Sequence, residues 1–102
     1  MLRHKATLQR WVESQESTGA PGGEWRDELE LWIGIEPVRG NERIALMQVQ
    51  ATTTHKIRAR WSDKFAPEKR ILARGRVFQI QSVINIHERD ADAELMCMEQ
   101  TS

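Results

Sequence analysis

Cysteine is nearly absent from this chain. Cys97 stands alone, so no internal disulfide can staple the fold, and a reducing compartment suits it. An excess of one charge is lacking too. Fifteen Lys and Arg balance fifteen Asp and Glu, whereas a free-standing nucleic-acid binder usually carries a basic surplus. The opening MLRHKATLQRW holds no apolar run of signal-peptide length, and no stretch approaches membrane-spanning length. A soluble, cytosol-made protein with no membrane partner is expected. Catalytic signatures are missing as well: no G-x-S-x-G, Gly-rich phosphate loop or H-E-x-x-H occurs. His4, His55, His87 and Cys97 are scattered, and no pair has zinc-ligand spacing. Cys97 lies inside an apolar strand pattern, where a thiol is usually an inert core residue. The sequence supports no catalytic residue, no metal and no cofactor. At 102 residues, one domain with one modest core is expected over the whole chain.

What the sequence does contain is strand periodicity. Arg70 to Asn85, RILARGRVFQIQSVIN, reads as two short strands joined at Arg74-Gly75, where Gly75 supplies a positive-φ turn position. Phe78 and Ile80 point one way, Gln79 and Gln81 the other. That phase breaks at Ser82, which stands where an inward residue belongs, and a β-bulge there or burial of both faces would account for the slip. His4 to Glu13 alternates Ala6, Leu8, Arg10 and Val12 against Thr7, Gln9 and Trp11, a first strand. Ser14 to Gly23 is nearly all turn formers and reads as a mobile hairpin loop. From Glu24 to Pro37 the pattern is cleanest, with Leu29, Leu31, Ile33 and Ile35 on one face and Glu30, Trp32, Gly34 and Glu36 on the other.

Val38 to Thr54 fits two readings. Asn41 can cap a short helix carrying Ile44, Met47 and Ala51, and the same residues also fit a strand. His55 to Trp61 then alternates again, Ser62 to Lys69 is a loop turned by Pro67, and His87 to Asp92 is a polar connection. Leu95 to Met98 forms a last short strand before a frayed tail. About six strands with regular turn signals point to an all-β fold, a small antiparallel β-barrel or sandwich, and closure would remove exposed edges. Leu31, Ile33, Ile57, Phe78 and Ile80 are the expected core.

Two features carry candidate contacts. Lys56, Arg58 and Arg60 share one strand face and could touch phosphates or an acidic partner. A solvated face paired with carboxylates such as Glu30 or Glu36 is the simpler reading. Of the four tryptophans, Trp61 fits the core, while Trp11 and Trp32 fall opposite the apolar rows and suit protein interfaces.

The ordered motifs form a family signature. RHKATLQR is followed by W-x-x-x-x-x-L-W-I-x-I-E-P across Trp25 to Pro37 and R-G-N-E-R at Arg39 to Arg43. T-T-H-K-I-R-A-R-W follows at Thr53 to Trp61, then G-R-V-F-Q-I-Q-S-V-I-N-I-H-E-R at Gly75 to Arg89. In order and spacing, over Leu2 to about Glu99, this resembles the head-tail joining (head-closure, head-tail adaptor) proteins of tailed phages, prophages and gene transfer agents. The resemblance implies a small antiparallel barrel, with a long loop or short helix after its second strand. It implies a homo-oligomeric ring in the virion neck between a portal-side connector and a tail-side protein. Double-stranded DNA would pass through the ring without sequence readout. It also implies that the segment Arg39 to Thr54, including Arg39, Asn41, Glu42, Arg43, Met47 and Gln48, faces the channel or neighbouring subunits. Two other classes remain alongside it: a barrel that binds single-stranded nucleic acid through Lys56, Arg58 and Arg60, and a regulatory or scaffold β-domain.

Overall fold

The computed structural model describes residues 2–15, 21–38 and 53–100. The strands are β1 (His4–Gln15), β2 (Pro21–Pro37), β3 (His55–Arg60), β4 (Arg70–Ala73), β5 (Arg76–Asn85) and β6 (Asp92–Gln100). They close in the order β1-β2-β3-β6-β5-β4, every neighbour antiparallel. The expected six-stranded closed barrel is therefore the fold. Among the described residues, helix is confined to one 3₁₀ turn, Ile86–Glu88.

The barrel forms because each strand brings an inward row. Leu8, Ile33, Ile57, Ile71, Phe78, Ile80, Leu95 and Cys97 are almost wholly buried, and Ala6, Ala59, Ala73 and Ala93 fill the narrow positions between them. Phe65, from the loop after β3, joins this core. Ile33, Ile57, Phe78 and Ile80 are core as expected. Leu31 is only partly buried, because β2 pairs with β3 no further up than Ile33. Trp61 likewise packs on the core without being enclosed by it.

The central hairpin turns at Arg74 (φ 54°) and Gly75 (φ 74°), two consecutive left-handed residues as a type I′ turn requires. The phase break at Ser82 is a bulge: Ile80 pairs with Cys97 and Ser82 with Met96, leaving Gln81 as the extra residue. A second bulge was not foreseen. Leu8 pairs with Leu29 but Gln9 with Asp27, so Glu28 is extra in β2. Its largely buried Oε1 atom meets the Lys69 ammonium at 2.8 Å, a charge contact rather than an aligned hydrogen bond.

Two boundaries differ from expectation. The stretch Ser14 to Gly23 is not all loop, since β1 reaches Gln15 and β2 starts at Pro21, and 16–20 lie outside the described residues. Register with the opposite strand carries these turn-forming residues into the ladder, and the Trp11 ring lies over the bare Cα of Gly23. Nor is the tail frayed after Met98: β6 runs from Asp92 to Gln100, with Arg58 paired to Glu94 and Arg76 to Glu99, and Asp92 in register with Arg60 without an ion pair between them.

Antiparallel pairing sorts the strand ends into two poles. One pole gathers His4, Pro37, His55, the Arg74–Gly75 turn and Gln100. The other carries Arg60, Arg70, Asn85, Asp92 and the β1–β2 hairpin. Because β1 pairs with β4 only as far as Gln9, this hairpin projects as a two-stranded arm, and the molecule measures 49 × 27 × 26 Å.

Phe78 is a fully buried core side chain, so Phe78→Ala should cost about 3–5 kcal/mol, a large share of the stability of so small a barrel. A urea titration checks it: the midpoint should fall steeply, and an unchanged midpoint would contradict the strand register.

Candidate assembly surfaces

The segment implied to face a channel, with Arg39, Asn41, Glu42, Arg43, Met47 and Gln48, lies outside the described residues. Its two anchor points do not. The Val38 amide donates to the Thr54 carbonyl at 2.9 Å, and the Thr54 amide donates to the Cys97 carbonyl at 2.9 Å. The Thr53 hydroxyl, itself buried, donates to Gln81 Oε1 at 2.7 Å. The bulge at Gln81 thus supplies the acceptor that holds the returning chain.

Beside these anchors is a polar network that sequence reading missed. Arg76 grips Glu99 with two bonds, Nε to Oε2 at 2.8 Å and Nη2 to Oε1 at 2.9 Å. Arg76 Nη2 also lies 3.3 Å from His55 Nε2. Arginine only donates, so neutral His55 accepts at Nε2, and its Nδ1–H donates to Thr54 Oγ1 at 2.9 Å. The same Thr54 oxygen accepts from the Glu99 amide at 2.8 Å. The His55 ring stands edge-on to Phe78, and the Arg76 guanidinium lies over that phenyl, 4.9 Å from its centroid. The one sequence signal was His55 at the head of an otherwise apolar row; Glu99 fell in what read as a tail.

Electrostatics follow from this geometry. Burial holds the His55 imidazole below the usual histidine range, Glu99 partly offsets that, and Arg76 adds to it. Hydrogen bonds from Arg76 hold the Glu99 carboxyl below its usual range, and the same pairing raises Arg76. Burial pushes the Cys97 thiol up to about 12, so no thiolate nucleophile is available there. Among the described residues, no group of three or more His, Cys, Asp or Glu converges to hold a metal ion.

The basic stripe lies among acids. Lys56 pairs in register with Glu36, Arg58 with Glu94, and Arg60 with Asp92. Arg58 Nη2 approaches Glu94 Oε2 at 3.5 Å from a largely exposed position, an ion pair worth at most about 1 kcal/mol. Of the two carboxylates suggested by sequence, Glu36 faces the stripe; Glu30 pairs with Thr7 on β1 instead.

Trp11 and Trp32 are 47% and 55% exposed. Trp11 packs edge-on against its cross-strand partner Trp25, with ring centroids 5.4 Å apart. Arg70 in turn stacks 4.1 Å from the Trp25 centroid and donates to Gln9 Oε1 at 2.8 Å. Gln9 donates on to Asp27 at 2.7 Å, which ties the base of the arm to β4. Trp32 stands beside a groove of about 620 Å³ that Leu29, Leu31 and Trp61 also line, with Glu30 and Arg60 among its charged walls.

A closed antiparallel barrel whose chain leaves at Val38 and returns at Thr53 describes an architecture, and comparison supplies its family. The family model described as phage head completion protein matches residues 1–100. The chain belongs to the phage head completion protein family. Among solved structures, a Shigella flexneri 2a protein determined in solution is similar over 99% of this chain and 95% of its own, at 23% identity and a TM-score of 0.81. A chain from the virion of a native gene transfer agent particle is similar over 100% of this chain and 98% of its own, at 19% identity and a TM-score of 0.68. At these identities the likeness carries the fold. No curated protein sequence matches the chain significantly.

The His55 network makes a pH prediction for this head completion family barrel. The folded imidazole has a lowered pKa, so below about pH 6.5 the unfolded chain binds the proton more readily than the folded one. Stability is then present above that pH and is lost as pH falls toward the folded value. Glu99, also lowered, adds a second loss below the ordinary carboxylate range. Thermal midpoints should drop on acidification from neutral pH, and His55→Gln should flatten the first part of that slope. A slope identical in the variant would remove His55 from the linkage.

Proposed function

We propose that this protein is a structural component of the neck of a tailed phage or gene transfer agent particle. There, copies form a ring between a portal-side connector and a tail-side protein, close the head, and let double-stranded DNA pass. The observation that carries this reading is the family match over residues 1–100 on a closed barrel. The role is mechanical rather than catalytic. Synthesis in the host cytoplasm and incorporation into the particle follow from it.

The physical character of the subunit supports a conduit. A ring repeats each charged strip many times, so a strongly basic lumen would hold DNA instead of letting it slide. This chain has no net charge, and Lys56, Arg58 and Arg60 lie opposite Glu36, Glu94 and Asp92. The same balance weakens the single-stranded nucleic-acid reading, which needs a basic groove beside exposed aromatics. We assign the channel-facing and subunit-contacting role to the segment Arg39 to Thr54, with Arg39, Asn41, Glu42, Arg43, Met47 and Gln48 as its contact residues. The hydrogen bond from Val38 to Thr54 supports that assignment in one respect: the barrel itself holds both ends of the segment together.

Deleting Asn41 to Gln50 tests it. With Val38 and Thr54 already joined, a short connection can replace the segment, and the variant should keep a cooperative unfolding transition. It should fail to support assembly of tailed particles or retention of packaged DNA. Normal complementation by a folded variant would place the assembly contacts elsewhere.

A further inference from the structure

The barrel wall is incomplete above Ile33. β2 pairs with β3 from Ile33 to Pro37, and its remaining residues pair with β1 alone. Through the gap the inward-row residues Leu29 and Leu31 reach the surface, joined by Trp61 from the end of β3 and flanked by exposed Trp32. An apolar opening of this kind, set among charged residues, marks a contact site.

The other edge of the same hairpin carries what would fill it. β1 pairs with β4 no further than Gln9, so Arg10 to Gln15 present an open edge on the arm. There Arg10-Trp11-Val12-Glu13 sets two apolar residues between a cation and an anion. The groove has the matching charges, Glu30 on the β2 wall and Arg60 on the β3 wall. Among the described residues none of these four charges has an ion-pair partner. Trp11 and Glu13 project from one face of β1, so a seated indole brings Glu13 toward Arg60, and Arg10 supplies a cation on the Glu30 side.

The arm cannot fill the groove of its own chain. Within one copy β1 flanks the opposite edge of β2, and Trp11 is already laid over Gly23. We propose that the occupant is a second copy: the arm of one subunit, led by Trp11, seats in the Leu29–Leu31–Trp32–Trp61 groove of the next. Six residues of β1 extend past its pairing with β4, a reach of about 20 Å, against a barrel 26–27 Å across. That length spans to the flank of an adjacent copy. The two patches are different surfaces, so the contact is head-to-tail, and repeating it generates a closed ring or an open chain rather than a two-fold dimer. This names the subunit contact for the ring proposed above and rests on that reading for where it operates.

The test is a chain carrying both Glu13→Cys and Arg60→Cys, with buried Cys97 left in place. Oxidised in assembled particles, the double variant should give a ladder of covalently linked subunits, while each single variant gives none. In solution at high concentration, a mixture of the two single variants should cross-link well above either alone. Trp11→Ala or Trp32→Ala should lower that yield about tenfold, the effect of roughly 1.4 kcal/mol. Glu13→Lys and Arg60→Glu should each weaken association, and combining them should restore it. Cross-linking of Glu13→Cys with itself at equal yield would mean an arm-to-arm contact and overturn the proposal. So would absence of links in necks that contain the double variant, and there the neck reading would survive. Absence of the protein from necks would instead overturn the neck reading, leaving the solution mixture to decide the contact.

Discussion

The barrel closes through a seam of four residue pairs, Ala6 against Ala73 through Gln9 against Arg70. Among the described strands β1 pairs on that side with β4 alone, and without the seam both β1 and β4 become open edges. Its chemistry changes along its length. Ala6 and Ala73 are small enough to let the strands close, Leu8 and Ile71 bury the middle, and Gln9 and Arg70 end it with a 2.8 Å hydrogen bond. Gln9 is the last residue of the seam and the first after the β2 bulge, so the point where the barrel stops is also where the arm starts. Arg70 secures both, since its guanidinium reaches Gln9 and stacks on Trp25.

Much of this was legible in the chain because strand period is a local property. The alternation from Leu29 to Ile35, the turn at Arg74-Gly75 and the slip at Ser82 each arise from side chains a few residues apart, and each appears in the structure. The features that were not legible are set by strands distant in sequence. Glu28 reads as an ordinary outward carboxylate until Lys69, from the loop after β3, is seen to lie against it. Ser14, Gly22 and Gly23 are turn formers by composition and strand residues by register. Asp92 and Glu94 argue against a strand until Arg60 and Arg58 stand opposite them. The tryptophans Trp11 and Trp32 were legible as outward residues, but only the topology puts them on two different patches. The His55–Arg76–Glu99 network joins three strands, and no window of sequence contains it.

The distribution of charge bears on how such a subunit can assemble. Ion pairs among the described residues include Arg58 with Glu94, Arg76 with Glu99, Lys69 with Glu28 and Arg26 with Glu24, all local. Each neutralises its partner within a few ångströms, so little field extends beyond the Debye length of about 8 Å at physiological salt. Long-range steering is therefore weak, and recognition has to come from shape and from buried apolar contact. Among the described residues, that shifts weight onto the exposed large apolar side chains, chiefly Trp11 and Trp32.

The two poles differ in what they carry. At one pole the chain leaves at Val38 and returns at Thr53, held by Cys97, Gln81 and the Thr54–Glu99 bond. At the other, the arm stands on the Gln9–Arg70–Trp25 base. Between them lies a core of close-packed aliphatic side chains, which transmits strain poorly into new shapes and well as rigid displacement. A barrel of this kind fixes the spacing between its two ends instead of coupling them through a change of fold. In the neck role proposed above, a part that joins unlike structures above and below needs a rigid spacer with distinct ends, and a closed sheet meets that physical requirement.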